Sequence, residues 1–299
     1  MEISIFHEFV PPPCGGGHQF LYALKRVMEA RGIRVVNNVI TSDTNACLFN
    51  SFNFDFELLQ RQARQGVKMV HRVDGPVGVY RGYDDGTDER VHQINQQLAD
   101  ETILQSEFSK QCHSELGMAY KSPWVILNAS DPEIFRAPKI KVDWFWKKKR
   151  VLAASWSDNP RKGGPFYAEL AGKLDFSRYE MTFVGRSSCE IPGVKTMGPV
   201  DSHALSKMMR QHDVFITASH DDPCSNTVIE AMTCGLPVLY LKSGGHPELV
   251  GEAGEAFLDI DEALSGLDRV AANIDEYRER LNPPRLNEIV DAYLEVLLA

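Results

Sequence analysis

The densest group of chemically capable side chains lies in residues 219–238, SHDDPCSNTVIEAMTCGLPV. A polar loop there follows the predicted strand Val214–Thr217 and leads into a helix that Ser225 or Asn226 would cap. The helix ends before Gly235, a typical stop residue. Because the first N–H groups of a helix have no partner within it, they attract anions such as phosphate. The segment therefore predicts an anion site at this helix end.

Two carboxylates accompany this helix. Glu230 lies one turn inside it, too deep to cap it, and Asp222 lies eight residues earlier in the loop. Carboxylates accept hydrogen bonds from sugar hydroxyls while helix amides hold phosphate. The pattern favours a site for a nucleotide and its sugar; the plainer alternative is an acidic surface helix behind an exposed loop.

Three further loops of the second half also follow predicted strands and carry glycine or cationic residues. Ligands of open α/β sheets bind at the carboxyl ends of strands, where such loops meet. Arg161 and Lys162 would supply positive charge for a phosphate. The loops are Ser155–Gly164, Gly185-Arg186 and Ser243–Glu248.

The first half offers two weaker signals. Gly15, Gly16 and Gly17 stand between the first predicted strand and helix, where they form either a flexible turn or an anion site. The dinucleotide fingerprint GxGxxG is absent, since Phe20 occupies its last position. His71 and Asp74 end another strand before a Gly-Pro turn; a polar strand end favours function, although a lone histidine is often structural.

These loops need elements to position them, and the chain supplies strand-like and helix-like segments in alternation. That rhythm predicts an α/β protein with parallel sheets and helices on both faces. We expect two Rossmann-like lobes, residues 1–135 and 151–299, joined by a linker at 136–150.

Composition excludes several classes. The 299 residues contain 32 basic and 41 acidic side chains, a net charge of -9, which argues against a nucleic-acid binder. No signal peptide or apolar span of about 20 residues is evident. Six scattered cysteines are typical of reduced thiols, so we expect a cytoplasmic protein. The linker holds seven basic residues and aromatic Trp144–Trp146; membrane contact there is possible, but packing at a lobe junction is favoured.

At Asp222 to Pro237 the sequence resembles the retaining glycosyltransferases of family four, which have the two-lobed GT-B fold. The spacing of Asp222 and Glu230 is similar to the family's E-x7-E segment, and Glu230 to Pro237 to its EAM-x-x-G-x-P. The likeness covers nearly the whole chain and is specific in residues 150–257. Weaker matches are Gly15–Gly17, His71, Lys162-Gly163, Gly185-Arg186 and Gly244–Glu248.

The resemblance implies roles for the matching positions. Glu230 would bind the ribose and Asp222 the transferred sugar, while His71 would lie beside the reacting carbon. His18 and Asp74 are assigned to the acceptor side. The remaining donor contacts would come from Gly15, Gly16, Gly17, Arg161, Lys162, Gly185, Arg186, Asn226, Thr227 and Val228.

Two positions depart from the family pattern. Asp222 stands where the family usually has Glu, which shortens the reach by one methylene. Ser157 stands where an Arg usually precedes the Lys by five residues, and Arg161 is the candidate substitute in the same loop.

The predicted activity is sugar transfer with retention from a nucleotide-diphosphate sugar, UDP- or GDP-linked, to a sugar, glycan or lipid-linked acceptor. No cofactor is expected, and helix amides with Lys162 would stabilise the leaving diphosphate without a metal. The D-x-D string Asp259–Asp261 is better explained by Asp261 as a helix cap. The alternatives are a sugar-nucleotide epimerase on the same fold and a catalytically silent nucleotide-sugar-binding subunit.

Overall fold

The structure is a computed structural model that describes residues 1–11, 14–138 and 148–299. Its internal contacts divide the chain into two compact units. The first unit comprises Met1–Pro11, Gly17–Asn128 and Pro284–Ala299. The second comprises residues 14–16 and the described part of Ala129–Pro283.

The first unit is built on a parallel sheet of six described strands in the order β2-β1-β3-β4-β5-β6. The strands are β1 (Glu2–Phe6), β2 (Arg34–Asn37), β3 (Thr44–Asn50), β4 (Lys68–Val73), β5 (Glu101–Leu104) and β6 (Pro123–Val125). The helices are α1 (Gly16–Ala30), α2 (Phe56–Gln62), α3 (Val77–Arg81), α4 (Thr87–Leu98), α5 (Glu107–Glu115) and the C-terminal α12 (Leu286–Leu298). Because helices cover a parallel sheet on both faces, its central strands are buried without an alternating pattern; β1 is buried at every position.

The second unit repeats this architecture, with the strand order β12-β11-β10-β7-β8-β9, again all parallel. Its strands are β7 (Lys149–Ser155), β8 (Tyr179–Gly185), β9 (Lys195–Met197), β10 (Val214–Thr217), β11 (Val238–Leu241) and β12 (Gly254–Phe257). Its helices are α6 (Gly164–Lys173), α7 (Ser202–Met209), α8 (Asn226–Thr233), α9 (His246–Val250), α10 (Ile260–Ala272) and α11 (Ile274–Glu279), with a 3-10 turn at Pro160–Lys162.

Each sheet has a point at which the strand order reverses. In the first sheet the chain leaves β1 for β2 on one side and returns to β3 on the other; in the second it leaves β7 for β8 and returns to β10 beside β7. Loops diverge at such a point and leave a crevice outside the carboxyl ends of the strands. The two sheets confirm the predicted α/β class.

The core of the second unit shows why the sheet holds these loops in place. Val151, Ile216 and Leu239, from three neighbouring strands, are at most 1% exposed and pack in one cluster. Full burial of such a side chain contributes roughly 1.5–3 kcal/mol. The loops that follow these strands therefore start from a rigidly packed sheet.

The division into units differs from the boundaries that the sequence suggested. Helix α12 belongs to the first unit, where its Tyr293 is completely buried. The sequence had placed this helix with residues 151–299. The second unit takes in residues from Ala129 onwards, and Lys149 already begins β7. The linker aromatics Trp144–Trp146 and Lys147 lie outside the described residues. No helix in the described ranges has the length and apolar character needed to cross a membrane.

Candidate functional site

The N-terminus of helix α8 lies at the reversal point of the second sheet, after β10. Ser225 is the N-cap residue, as predicted, but its side chain makes no capping hydrogen bond. The first bond of the helix runs from the Ile229 N–H to the Ser225 carbonyl, at 3.2 Å. The three preceding N–H groups, of Asn226, Thr227 and Val228, are the ones a helix cannot satisfy itself. They are available to an anion.

Asp222 is fixed in the loop before α8 by a cation from another loop. Lys162 Nζ donates to Asp222 Oδ2 at 2.8 Å, and Ser219 Oγ donates to the same oxygen at 3.4 Å. Burial alone would raise the pKa of this carboxyl. The charges of Lys162 and His246, with hydrogen bonds from Lys162 and from the Cys224 backbone, outweigh burial and lower the pKa of Asp222. Asp222 is therefore a carboxylate at neutral pH.

Arg161 forms a second ion pair between the same two loops. Its guanidinium contacts the carboxylate of Asp221, and its carbonyl accepts the His220 N–H at 2.7 Å. Asp221 has a left-handed backbone with φ of 50°, and Ser243 Oγ holds it by accepting its N–H at 2.9 Å. The Nε of Arg161 is buried and finds no acceptor in the part of the chain that the structure describes. The predicted cations are thus present, each beside an aspartate.

The glycine turn before α9 lies directly against this loop. A Cβ on Gly244 would lie 2.4 Å from the Asp222 carbonyl oxygen, and one on Gly245 would lie 2.4 Å from that of Pro223. Only glycine permits this approach. The next residue, His246, is completely buried; its Nδ1 bonds to the Leu241 carbonyl at 3.1 Å, and its Nε2 has no partner among the described residues. The sequence singled out this turn but did not single out His246.

Glu230 lies in the first turns of α8 and is only 7% exposed. Its carboxyl group has no hydrogen-bond partner among the described residues, and burial raises its pKa to about 8. At neutral pH it is mostly protonated. A buried carboxyl group without a partner is costly, so its position favours a polar ligand group beside it.

Gly185 and Arg186 end strand β8 beside the end of β7. Gly185 has φ of 113°, and a Cβ there would lie 1.8 Å from the Ser155 carbonyl oxygen, so no other residue fits. Arg186 Nη1 donates to the Trp156 carbonyl at 2.9 Å, and its guanidinium lies 4.9 Å from the centre of the Trp156 ring. The indole is 40% exposed. Trp156 and Arg186 form a flat cationic surface of the kind on which a nucleotide base stacks. No role for Trp156 was predicted from the sequence.

The glycine loop after β1 contributes residues 14–16 to the second unit, among them Gly15 and Gly16. A Cβ on Gly15 would lie 3.5 Å from the Trp156 ring, and one on Gly16 would lie 2.6 Å from Cβ of Asn226. Gly17 has open space around it. Gly15 and Gly16 therefore lie beside the predicted donor residues, and Gly16 is required there by sterics.

The first unit has its own polar cluster at the carboxyl ends of its strands, centred on the buried Arg72. This guanidinium donates through Nη1 to Asn50 at 2.5 Å and to Asp74 at 2.9 Å, and through Nη2 to Asn128 at 2.8 Å. Its Nε donates to the Tyr293 hydroxyl at 3.1 Å. A buried cation with this many partners is rigid, and it fixes Asp74, which the sequence assigned to the acceptor side.

His71, which the resemblance places beside the reacting carbon, lies on the opposite side of strand β4 from Arg72. It is completely buried, and its ring stacks on that of Phe49 at 4.3 Å. Its Nε2 bonds to the Ser51 carbonyl at 3.0 Å, and its Nδ1 lies 3.3 Å from the Asn95 amide nitrogen. Burial lowers its pKa to about 3. In this structure both ring nitrogens are engaged within the first unit, and the neutral ring is part of the packing.

In the part of the chain that the structure describes, no group of three or more metal-ligating side chains could hold a metal ion. The D-x-D string lies at the start of α10, where Asp259, not the predicted Asp261, is the N-cap and accepts the Glu262 N–H at 2.9 Å.

Comparison with known families agrees with this geometry. Residues 149–273, which contain β7 to α10, match the model of the family described as glycosyl transferases group 1. The matched residues lie wholly within the second unit. The match contains the ion-paired loops, α8 and the Gly244-Gly245 turn. A comparison with curated proteins finds no match.

Solved structures are similar to this chain over both units. Sucrose-phosphate synthase from Thermosynechococcus elongatus is 15% identical with a TM-score of 0.73, covering 99% of this chain and 96% of that one. Anabaena HepE, solved with UDP-glucose, is 14% identical with a TM-score of 0.70, covering 98% and 99%. AviGT4, a glycosyltransferase involved in avilamycin A biosynthesis, is 16% identical with a TM-score of 0.66, covering 99% and 96%. These likenesses confirm the predicted GT-B fold.

Proposed function

We propose that this protein transfers a sugar from a nucleotide-diphosphate sugar, in the first place a UDP-sugar, to a hydroxyl group of an acceptor. The observation that carries the proposal is the open N-terminus of α8 with Glu230 inside it. The helix N-terminus can bind a phosphate. The buried carboxyl group one turn away can accept hydrogen bonds from the hydroxyls of a polyol attached to that phosphate. The family match over residues 149–273 supports the same class of reaction.

In this proposal the N–H groups of Asn226, Thr227 and Val228 hold the diphosphate. Lys162 assists them, because an ammonium group has three N–H donors and only part of this capacity goes to Asp222. Arg161 approaches with its unpaired Nε. Together they replace the charge that a metal ion would supply, so we propose a metal-independent reaction.

Glu230 accepts hydrogen bonds from the ribose, and Arg186 with Trp156 lies against the base. A ribose hydroxyl that donates to the Glu230 oxygens favours the carboxylate form, so the pKa of Glu230 falls on binding. Asp222, held by Lys162, contacts the transferred sugar. As the bond to the diphosphate breaks, positive charge develops on the anomeric carbon, and the Asp222 carboxylate stabilises it on one face. We propose that the product keeps the anomeric configuration of the donor.

The choice of UDP draws on a structural relative. HepE has been solved with UDP-glucose and also with UDP and glucose. A UDP-sugar donor and a sugar acceptor are therefore the first pair to test, followed by GDP-sugars and by glycan or lipid-linked acceptors.

The test combines binding with product analysis. Calorimetry with UDP, GDP and UDP-glucose, each with EDTA present, should show UDP binding that Glu230→Ala removes. NMR of the product should show an unchanged anomeric configuration. An inverted product would refute retention, and activity lost in EDTA and restored by Mn²⁺ would refute metal independence. Conversion of the donor sugar without an acceptor would instead identify an epimerase, and binding without any turnover a silent subunit.

A further inference from the structure

Four polar side chains of the first unit form a continuous hydrogen-bonded chain. Arg72 Nη1 lies 2.5 Å from Asn50 Oδ1, and Asn50 Nδ2 lies 3.3 Å from His7 Nδ1. His7 Nε2 lies 2.8 Å from His18 Nδ1. Arg72, Asn50 and His7 are at most 3% exposed, whereas His18 is partly exposed. The chain therefore runs from a buried cation to the surface.

The chain ends where a ligand of such a sheet binds. His7 follows β1 and Asn50 ends β3, the two strands at which the order of the first sheet reverses. His18 lies in the first turn of α1, directly after the glycine loop. A crevice outside these strand ends is the expected place for a ligand.

The chain also has a direction, because its first member can only donate. A guanidinium has no acceptor, so the Asn50 atom facing it is the oxygen, and its amide nitrogen points to His7. Since that nitrogen donates, His7 Nδ1 must accept, and a neutral His7 then carries its hydrogen on Nε2. His7 Nε2–H donates to His18 Nδ1. A neutral His18 consequently carries its hydrogen on Nε2.

We propose that this chain sets His18 as a hydrogen-bond donor whose Nε2–H contacts an oxygen of the bound substrate. The contact rests on the proposed function, whereas the direction of the chain does not. The oxygen is a sugar hydroxyl of the acceptor or a phosphate oxygen of the donor. His18 is not a general base, because its one accepting nitrogen is already occupied by His7. His7 and Asn50 are positioning residues.

Burial keeps the His7 and His18 rings neutral at neutral pH, so each ring keeps this tautomer. Burial lowers the pKa of His7 to about 3, and repulsion from Arg72, and from His18 whenever it is protonated, lowers this pKa further. Burial also lowers the pKa of His18, against the charges of Asp74 and Glu8. Both rings are therefore neutral, with one hydrogen each.

The first experiment reads the tautomers in the full-length protein. Two-dimensional NMR of the histidine ring nitrogens distinguishes a protonated from a bare nitrogen, and His18→Gln assigns the His18 signals. We expect Nε2 protonated and Nδ1 bare in both rings. A His18 ring protonated on Nδ1 would overturn the proposal whatever the activity of the protein.

A second experiment reverses the chain. In Asn50→Asp the introduced carboxylate accepts from His7 Nδ1, so His7 Nε2 accepts and His18 Nδ1 donates. We expect the His18 signals to exchange at about pH 9, where an ordinary histidine is neutral. Asn38→Asp is the matched control, because the Asn38 side chain bonds to the backbone N–H and carbonyl of His7 and not, among the described residues, to its ring. If the His18 signals exchanged in both variants, or in neither, the proposed direction of the hydrogen-bonded chain would be wrong.

The third experiment tests the contact with substrate. His18→Leu removes the donor and should raise the KM for the acceptor about tenfold with little change in kcat. His18→Gln can donate from a similar position and should recover most of this loss. A raised KM for the nucleotide sugar instead would place the oxygen on the donor phosphate. Equal losses in both variants, or no change in either KM, would refute the contact.

Discussion

The ammonium group of Lys162 and the carboxylate of Asp222 are 2.8 Å apart, although the two residues were assigned to different parts of the donor. The neighbouring pair of Arg161 and Asp221 has the same arrangement. The two cations proposed to contact the diphosphate are thus already balanced by carboxylates. In the proposed function, the diphosphate would therefore be held by the helix amides and by the spare N–H groups of these cations.

We expect Lys162→Met to weaken UDP binding by about 10–100-fold, because a charge-assisted hydrogen bond is lost. Lys162→Arg keeps the charge and should stay within a few-fold of the wild type. Asp222→Asn should bind UDP at least as tightly as the wild type while transferring sugar more slowly. Isothermal titration and steady-state rates measure these effects. Unchanged UDP affinity in Lys162→Met would remove this residue from the site.

The pH dependence of stability should report on Glu230. Burial raises its pKa from 4.5 to about 8, so between these values the folded protein holds a proton that the unfolded chain has released. The free energy of unfolding therefore falls as the pH rises through this interval. Relative to the wild type, Glu230→Gln should gain up to ~4 kcal/mol between about pH 5 and pH 9.

Urea unfolding at several pH values measures this difference. The matched control is Glu252→Gln, which removes the same charge from an exposed position. The control should follow the wild-type curve. Parallel curves for Glu230→Gln and the wild type would show that the carboxyl group is already ionised at pH 5.

The same carboxyl group should couple UDP binding to proton release. The ribose hydroxyls stabilise the carboxylate, so the protein should release a fraction of a proton when UDP binds near pH 7. Titration calorimetry in buffers with different ionisation enthalpies measures this proton. Glu230→Gln should abolish the buffer dependence, and a persistent dependence would assign the proton to another group.

Gly185→Ala should destabilise the second unit by about 3 kcal/mol or more, because the new Cβ overlaps the Ser155 carbonyl and the backbone has a positive φ. Gly172→Ala, in helix α6 with open space around it, should be neutral or gain about 0.5–1 kcal/mol. Thermal unfolding compares the two. A tolerated Gly185→Ala would contradict the close approach of β8 to the end of β7.

His71→Ala should lower stability by about 2–4 kcal/mol, because it leaves a cavity beside Phe49 and removes two hydrogen bonds. The folded fraction should keep its turnover number. Denaturant unfolding and rates per active site separate the two effects. A stable variant with turnover lost would return His71 to the reacting centre.

Much of the fold could be predicted because its signals are local. Apolar runs separated by helical periodicity indicated β7, β10 and β11, and breaker residues marked the start and end of α8. The start of α8 at Ser225, where the anion site is proposed, followed from the same local pattern. The place of α12 could not be predicted, because an amphipathic helix shows that it packs but not against which sheet.

The sequence by itself determined the alternation of strands and helices, the start of the helix at which the anion site is proposed, and the glycines at the strand ends. Only the tertiary structure decided which side chains meet there. Adjacent residues of a strand point to opposite faces, so either His71 or Arg72 had to join the polar cluster. Because helices bury both faces of a parallel sheet, no polar pattern in the sequence distinguishes them. Lys162 and Asp222 likewise meet across 60 residues of chain, and only folding brings them together.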